Sequence, residues 1–265
     1  MTSPPLITPF DLAIAACVIA ACALVSRLLS LNTGKAIVVS ALRMTIQLLL
    51  VGNVLLFVFN RTSIALTFGV LGVILCAATF EAGNRPTARL ASRWHYGIAG
   101  LAILCGAGIA TSIGFLTSLR PHPLFAARAT IPMAGLIIGN VMNATSLTLN
   151  SLLTSVIHDR MAIEARILLG ATRLKALERP IRAALRTALI PTLNQMAAAG
   201  LVTLPGIMTG QLLAGMSPVS ASRYQIVLMS LVIFGNLTGA TIAATLTTLR
   251  LTDHRGRLRL DRLKS

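Results

Sequence analysis

Stretches of about 20 residues without an ionised side chain recur along this chain, each long enough to cross the hydrocarbon core of a bilayer as a helix. No other feature limits the fold so strongly. In lipid a backbone must satisfy its own hydrogen bonds, which leaves helices and closed barrels, and apolar runs of this length are helical. The expected spans are 9–31, 36–59, 62–82, 96–118, 129–150, 187–214 and 224–249. Composition agrees: 11% of the 265 residues are charged and mean hydropathy is +0.81, where a soluble domain carries roughly 25% charged residues. An all-α integral membrane protein of about seven helices is expected. No internal repeat or low-complexity linker divides it, so 1–265 reads as a single domain.

Basic residues then orient the spans. The net charge is +16, but the Lys and Arg side chains cluster between apolar segments, not on a soluble face, which excludes nucleic-acid binding. Nineteen fall on one side: Arg27, Lys35 and Arg43, then Arg85, Arg89 and Arg93, then seven from Arg160 to Arg186, then six from Arg250 to Lys264. Four fall on the other, Arg61, Arg120, Arg128 and Arg223. The richer side is cytoplasmic, so the N-terminus is outside and the C-terminus inside. No Lys or Arg precedes Arg27, so the first apolar run lacks the basic head of a signal peptide and reads as a retained helix. Cys17, Cys22, Cys76 and Cys105 lie in apolar segments without paired spacing and read as small buried hydrophobes.

The long non-spanning stretch is 151–186, between spans five and six, and its pattern is helical. Leu174, Leu177, Ile181 and Leu185 fall on one face and Lys175, Arg179, Arg182 and Arg186 on an adjacent one. Gly170 interrupts the pattern, and Pro180 suits the first turn of a new helix. The tail 250–265 is basic and leucine-spaced, and reads as a solvated end drawn to lipid headgroups.

No phosphate-binding loop, nucleophile elbow or zinc pattern occurs, and His95, His122, His158 and His254 are scattered. Enzymatic work on this chain is not expected, and any ATP-driven step needs a partner. Within the cytoplasmic loop, Glu164-Ala165 with Gly170 and the apolar Ile167-Leu168-Leu169, followed by Ala171-Thr172, has the form of a rigid docking helix ended by a glycine turn. Span six carries Pro191, Gly200, Pro205, Gly206 and Gly210, which break or pack it, with Asn194, Gln195 and Gln211 inside it. Broken helices at membrane depth line cavities or are buried in protein. Gln47, Asn140 and Asn143 join those three as polar candidates for a substrate path, and Glu81 lies near the inner end of span three. Gly135/Gly139, Gly206/Gly210 and Gly235/Gly239 suggest close packing of the last three spans. Met133, Met142, Met196, Met208 and Met216 read as gap-filling core.

Several of these blocks resemble the iron-export ABC permease family (FetB-like), related to plant aluminium-tolerance ABC membrane subunits. They are Arg43-Met44-Thr45-Ile46-Gln47-Leu48, the run Ile131 to Met142, Leu169-Gly170-Ala171-Thr172, Ala188 to Thr192, Gly200-Leu201-Val202, Leu204 to Gly210 and Tyr224-Gln225-Ile226. The resemblance implies a permease subunit of the bacterial inner membrane, exporting iron or another metal or small solute. It implies a homodimer of permeases paired with a separate ABC ATPase, which holds the ATP and Mg. Ile190-Pro191 lies farther beyond Gly170 than the corresponding importer motif, so importer docking geometry is not carried over. The alternative is an ion-coupled carrier or channel without an ATPase, which would ordinarily keep buried carboxylates or histidines as relays.

Overall fold

The computed structural model describes residues 8–61, 63–91, 94–117, 119, 125–253 and 257–264. Arg93, Arg120, His122, His254 and Arg255 lie outside the described residues. The chain forms two compact units, divided after Thr62.

The first unit is a helical hairpin of α1 (Pro9–Leu28) and α2 (Gly34–Asn60). Thr8 and Asp11 form a reciprocal capping box ahead of Pro9, which starts α1. Gly34 lets the helices close, since a Cβ there would stand 3.1 Å from the Ala23 carbonyl oxygen. The Ser26 and Thr33 hydroxyls meet at 2.7 Å across the turn. Nearly every other side chain of the hairpin is exposed and apolar, as on helices that face lipid.

The second unit holds α3 (Ile64–Asn84), β1 (Arg89–Leu90), α4 (Trp94–Phe115), α5 (Ala127–His158), α6 (Arg160–Leu168), α7 (Arg173–Ala176), α8 (Glu178–Ala198), α9 (Gly206–Leu213), α10 (Pro218–Leu251), a 3-10 turn (Leu260–Arg262) and β2 (Leu263–Lys264). Its centre is α10, which packs on α4, α5, α8 and α9. The α4–α10 seam is antiparallel and built from small residues. Gly114 faces Leu231, Ala110 faces Gly235, and Gly106 faces Gly239. A Cβ on Gly106 would meet the Gly235 carbonyl oxygen at 2.7 Å, so the two backbones touch.

Among the described residues, six helices are long and apolar enough to cross a membrane: α1 to α5 and α10. The stretch 187–214, expected as one span, is instead α8, an irregular segment 199–205, and α9. Arg179, Arg182 and Arg186 make the first half of α8 too polar, and α9 has only 8 residues. Pro191 does not make the break. It stands exposed inside a continuous α8, and the helix stops at Ala198. Pro180 lies in the first turn of α8 as expected. The stretch expected between spans five and six is also shorter than 151–186, because α5 runs on to His158.

Two further expectations change. Of the three glycine pairs, only Gly235/Gly239 packs closely, and it does so against α4 and Val141 of α5; Gly135, Gly139, Gly206 and Gly210 have nothing within contact of an added Cβ. The tail is not a free solvated end. Leu258, Leu260 and Leu263 pack against the core, and β2 pairs antiparallel with β1, Arg89 opposite Lys264. Its leucine spacing supplies the apolar face that folds it back. One end of this unit therefore gathers β1, the folded tail, α7 and the start of α4.

Candidate functional site

The segment from α6 to α7 is built around one glycine. In α6, the Arg160 Nε donates to Glu164 Oε1 at 2.9 Å, one turn apart. The helix ends in a Schellman arrangement: the Gly170 N–H donates to the Ile167 carbonyl and the Ala171 N–H to the Arg166 carbonyl, both at 3.0 Å. Gly170 has φ +87, the left-handed conformation that a side chain resists. Thr172 is extended and starts α7 with its carbonyl.

Packing fixes the orientation of this segment. Ile163, Ala176 and Leu177 are buried, and Ile167 and Ala171 pack on the same core. That leaves Leu168 87% and Leu169 88% exposed, beside exposed Met161. Two adjacent leucines are thus held outward beside the glycine turn.

The break after α8 is equally well defined. Gly200, at φ +86, donates its N–H to the Thr203 carbonyl at 2.9 Å, and Ala199 pairs with Thr203. Leu201 and Val202 project at its tip, 92% and 82% exposed. Pro205 caps α9 with an extended backbone, Gly206 is the first helical residue and Gly210 lies mid-helix. Gly215, at φ +89, closes α9 with a second Schellman pair, and Ser217 caps α10 by accepting from the Ser220 N–H.

The polar path candidates are not drawn into one cluster. Gln47 is exposed on α2 in the N-terminal unit. Asn140 donates to its own helix, to the Leu136 carbonyl at 2.9 Å. Asn143 accepts from Arg85 at 2.7 Å, and Arg85 in turn contacts Glu81 at 3.3 Å, so Glu81 belongs to an ion-pair network at the end of α3. Asn194 and Gln195 are exposed on α8. Gln211, half-buried on α9, has a buried side-chain carbonyl oxygen with no partner among the described residues. Three or more His, Cys, Asp or Glu side chains do not come together anywhere among the described residues. The methionines are dispersed, from buried Met133 to exposed Met196 and Met216. Cys17, Cys22 and Cys76 are exposed and Cys105 half-buried, against the expectation of burial within the chain; their apolar helices face outward.

The polar contact that sequence reasoning passed over is Asn236. Buried on α10, it donates to the Thr192 hydroxyl of α8 at 2.6 Å, linking the broken segment to the central helix. Its side-chain oxygen has no partner among the described residues. An amide next to Gly235 inside an uncharged run is the signal that marks it.

Among the described residues, six long apolar helices define an all-α membrane-protein architecture. The model of the uncharacterised protein family UPF0014 matches residues 9–251, so the chain belongs to this family. A UPF0014 membrane protein of Synechocystis is 38% identical over 210 residues, covering 78% of this chain and 79% of that protein. The probable iron export permease protein FetB of Escherichia coli is 34% identical over 259 residues, 97% of each chain. Protein ALUMINUM SENSITIVE 3 of Arabidopsis thaliana is 34% identical over 206 residues, 78% of this chain and 73% of that one. No solved structure matches.

Proposed function

We propose that this chain is the membrane-spanning permease subunit of an ABC-type transporter, exporting iron or another metal or small solute. ATP is hydrolysed, with Mg, on a separate ATPase chain, and two permeases pair with two ATPases in the bacterial inner membrane. The observation that carries this reading is α6 with its glycine turn. A stroke passes from a soluble ATPase to membrane helices only through a short element that is rigid, pinned on one face and exposed on the other. Ile163 and Leu177 supply the pinning, and Leu168 and Leu169 supply the exposed edge. Glu164 stiffens the helix through Arg160, and Gly170 sets the turn.

The whole chain acts as one permease domain, with the N-terminus outside and the C-terminus cytoplasmic. The gathering of β1, α7 and the basic tail at one end of the second unit supports that orientation, since these are segments that basic residues assign to the cytoplasm. In this reading α8 and α9 form a discontinuous crossing, the sixth of seven. Asn194, Gln195 and Gln211 flank its break and belong to the path, as do Asn140 and Asn143 on α5 and Gln47 on α2. The names of two relatives, one for iron export and one for aluminium sensitivity, support a metal as the transported species.

Gentle purification of the tagged chain from its native membrane tests this. An ABC ATPase should co-purify, and Glu164→Ala with Gly170→Ala should reduce its recovery at least about tenfold. Gly170→Ala carries a left-handed strain of roughly 1–2 kcal/mol, so monodispersity of the variant is checked alongside. Metal-stimulated ATPase activity of the complex then identifies the substrate. An intact, folded chain recovered without any ATPase would sink the reading and favour an ion-coupled carrier.

A further inference from the structure

At the end of the α4–α10 seam lies a cavity of about 520 Å³ whose two halves differ in chemistry. One half is cationic: Arg173 from α7, Arg250 from the last turn of α10, and Arg262 from the folded tail. Asp253 is the one acidic residue on the lining. Among the described residues none of the three arginines makes an ion pair with a carboxylate. Two of them are nevertheless held in place. The Arg262 guanidinium donates to the Arg250 carbonyl at 2.6 Å, and the Arg250 guanidinium lies 4.7 Å from the centre of the Trp94 ring. Three arginines against one carboxylate leave an excess of positive charge on the lining.

The other half is apolar and continues along helices long enough to cross a bilayer. Ile98 and Leu101 line it from α4, Leu246 and Leu249 from α10, and Gly97 leaves room between them. Leu101, Leu249 and Trp94 are all exposed, so this wall merges with the helix surface that faces hydrocarbon. Trp94 itself stands at the boundary, where an amphipathic ring belongs at headgroup level.

From this arrangement we infer that the cavity is a binding site for an anionic phospholipid. The phosphate is held by Arg173, Arg250 and Arg262, and an acyl chain lies along the Ile98, Leu101, Leu246 and Leu249 wall. Arginine forks match phosphate geometry, and basic pockets between membrane helices select acidic headgroups. An acidic peptide would satisfy the arginines but would gain nothing from a wall embedded in the bilayer. The site needs the folded tail, because β2 pairing with β1 is what brings Arg262 to it. Tail docking and lipid occupancy are therefore coupled: headgroup binding neutralises charge that the docked tail concentrates.

Trp94 is the only tryptophan of the chain, so its fluorescence reads the site directly. The full-length protein is placed in nanodiscs of phosphatidylcholine in which a minor fraction is replaced by brominated phosphatidylglycerol or, separately, by brominated phosphatidylcholine. The brominated anionic lipid should quench Trp94 more strongly at equal fraction. Arg173→Gln should weaken that preference about fivefold, and the Arg173→Gln/Arg262→Gln pair about 25-fold, at the usual worth of one basic residue against an anionic headgroup. Arg173 is exposed, so its single variant decides the matter should the double variant fail to fold. Equal quenching by both lipids, or a preference that survives Arg173→Gln, overturns the inference. Loss of the preference on adding millimolar inorganic phosphate also overturns it, by showing a site for small anions instead of lipid.

Discussion

The backbone contact between α4 and α10 sets a measurable limit on what this sequence tolerates. At Gly106 an added methyl would lie 2.7 Å from the Gly235 carbonyl oxygen, 2.9 Å from the Gly239 nitrogen and 3.0 Å from the Gly239 Cα. All three are backbone atoms, so no side chain can swing away. Ordinary contact begins near 3.4 Å, so Gly106→Ala must push α4 and α10 apart by about 0.7 Å at that point. A gap of this size forfeits a quarter to a half of each dispersion contact along the seam. Overpacking of this kind costs about 1–3 kcal/mol, and rigid backbone on both sides places Gly106→Ala toward the upper end.

Gly108 provides the matched control. It lies on the same helix, two residues on, with nothing within 4 Å of an added Cβ. Gly108→Ala gains only the helix propensity difference, about 1 kcal/mol in favour of alanine. Both variants share that propensity gain, so the gap between them should be the overpacking cost alone, about 1–3 kcal/mol. Thermal unfolding of both proteins in the same detergent, followed by loss of the monodisperse peak, reads this as a clear drop in Tm for Gly106→Ala alone. Equal Tm values would refute the seam.

Three other outcomes follow from named contacts. Thr192→Val, which keeps the side-chain shape but strands the buried Asn236 amide, should cost about 1–3 kcal/mol; adding Asn236→Leu should recover much of it, which denaturation of the two variants tests. Arg85→Gln should lower stability by about 1 kcal/mol or less, because the Asn143 and Glu81 contacts are largely exposed, and a loss several times larger would mean that Arg85 is buried in the assembled protein. The Asp261 carboxyl is held below its ordinary value of 3.8, first by its hydrogen bond from Arg259, so what that pair adds to the local structure of the tail is present above that value and fades as pH falls below it; the protection of amides 257–264, taken relative to their intrinsic exchange rates, should fall only in that acid range, and Asp261→Asn should remove the pH dependence.

Much of this architecture was legible in the sequence because two long-range demands of the bilayer act on local composition. Apolar length marked α1 to α5 and α10, and Gly170 was visible as a break because a helix that must turn out of its own axis needs a residue tolerant of positive φ. What was not legible depends on which atoms meet. Gly135/Gly139 and Gly235/Gly239 have the same spacing, yet only the second pair touches another backbone, since spacing defines a stripe and not its partner. Asn143 read as a free polar candidate and is held by Arg85, 58 residues away in sequence. The leucines of the tail looked like an amphipathic surface until β1 supplied an edge for β2.

The break in the sixth apolar stretch shows why composition names such a segment without drawing it. Pro191 removes one donor, but α8 continues past it because the residue is exposed and its neighbour Thr192 is anchored to Asn236 on α10. The helix ends only where Gly200 can turn left-handed and Pro205 can start the next helix with an extended backbone. Tertiary anchoring on one side and permissive backbone on the other place the break eight residues beyond the first proline. A break set in this way presents Leu201 and Val202 outward between two helices, one of which packs on α10 and is hydrogen-bonded to it through the buried Asn236 amide. In the proposed complex, motion transmitted from α6 through α7 into α8 would reach that break with the Thr192–Asn236 bond as its pivot. For that reason Thr192→Val bears on transport as well as on stability: in the proposed complex it should uncouple ATP hydrolysis from export while leaving ATPase recovery intact, and export that tracks protein abundance alone would remove the pivot from the mechanism.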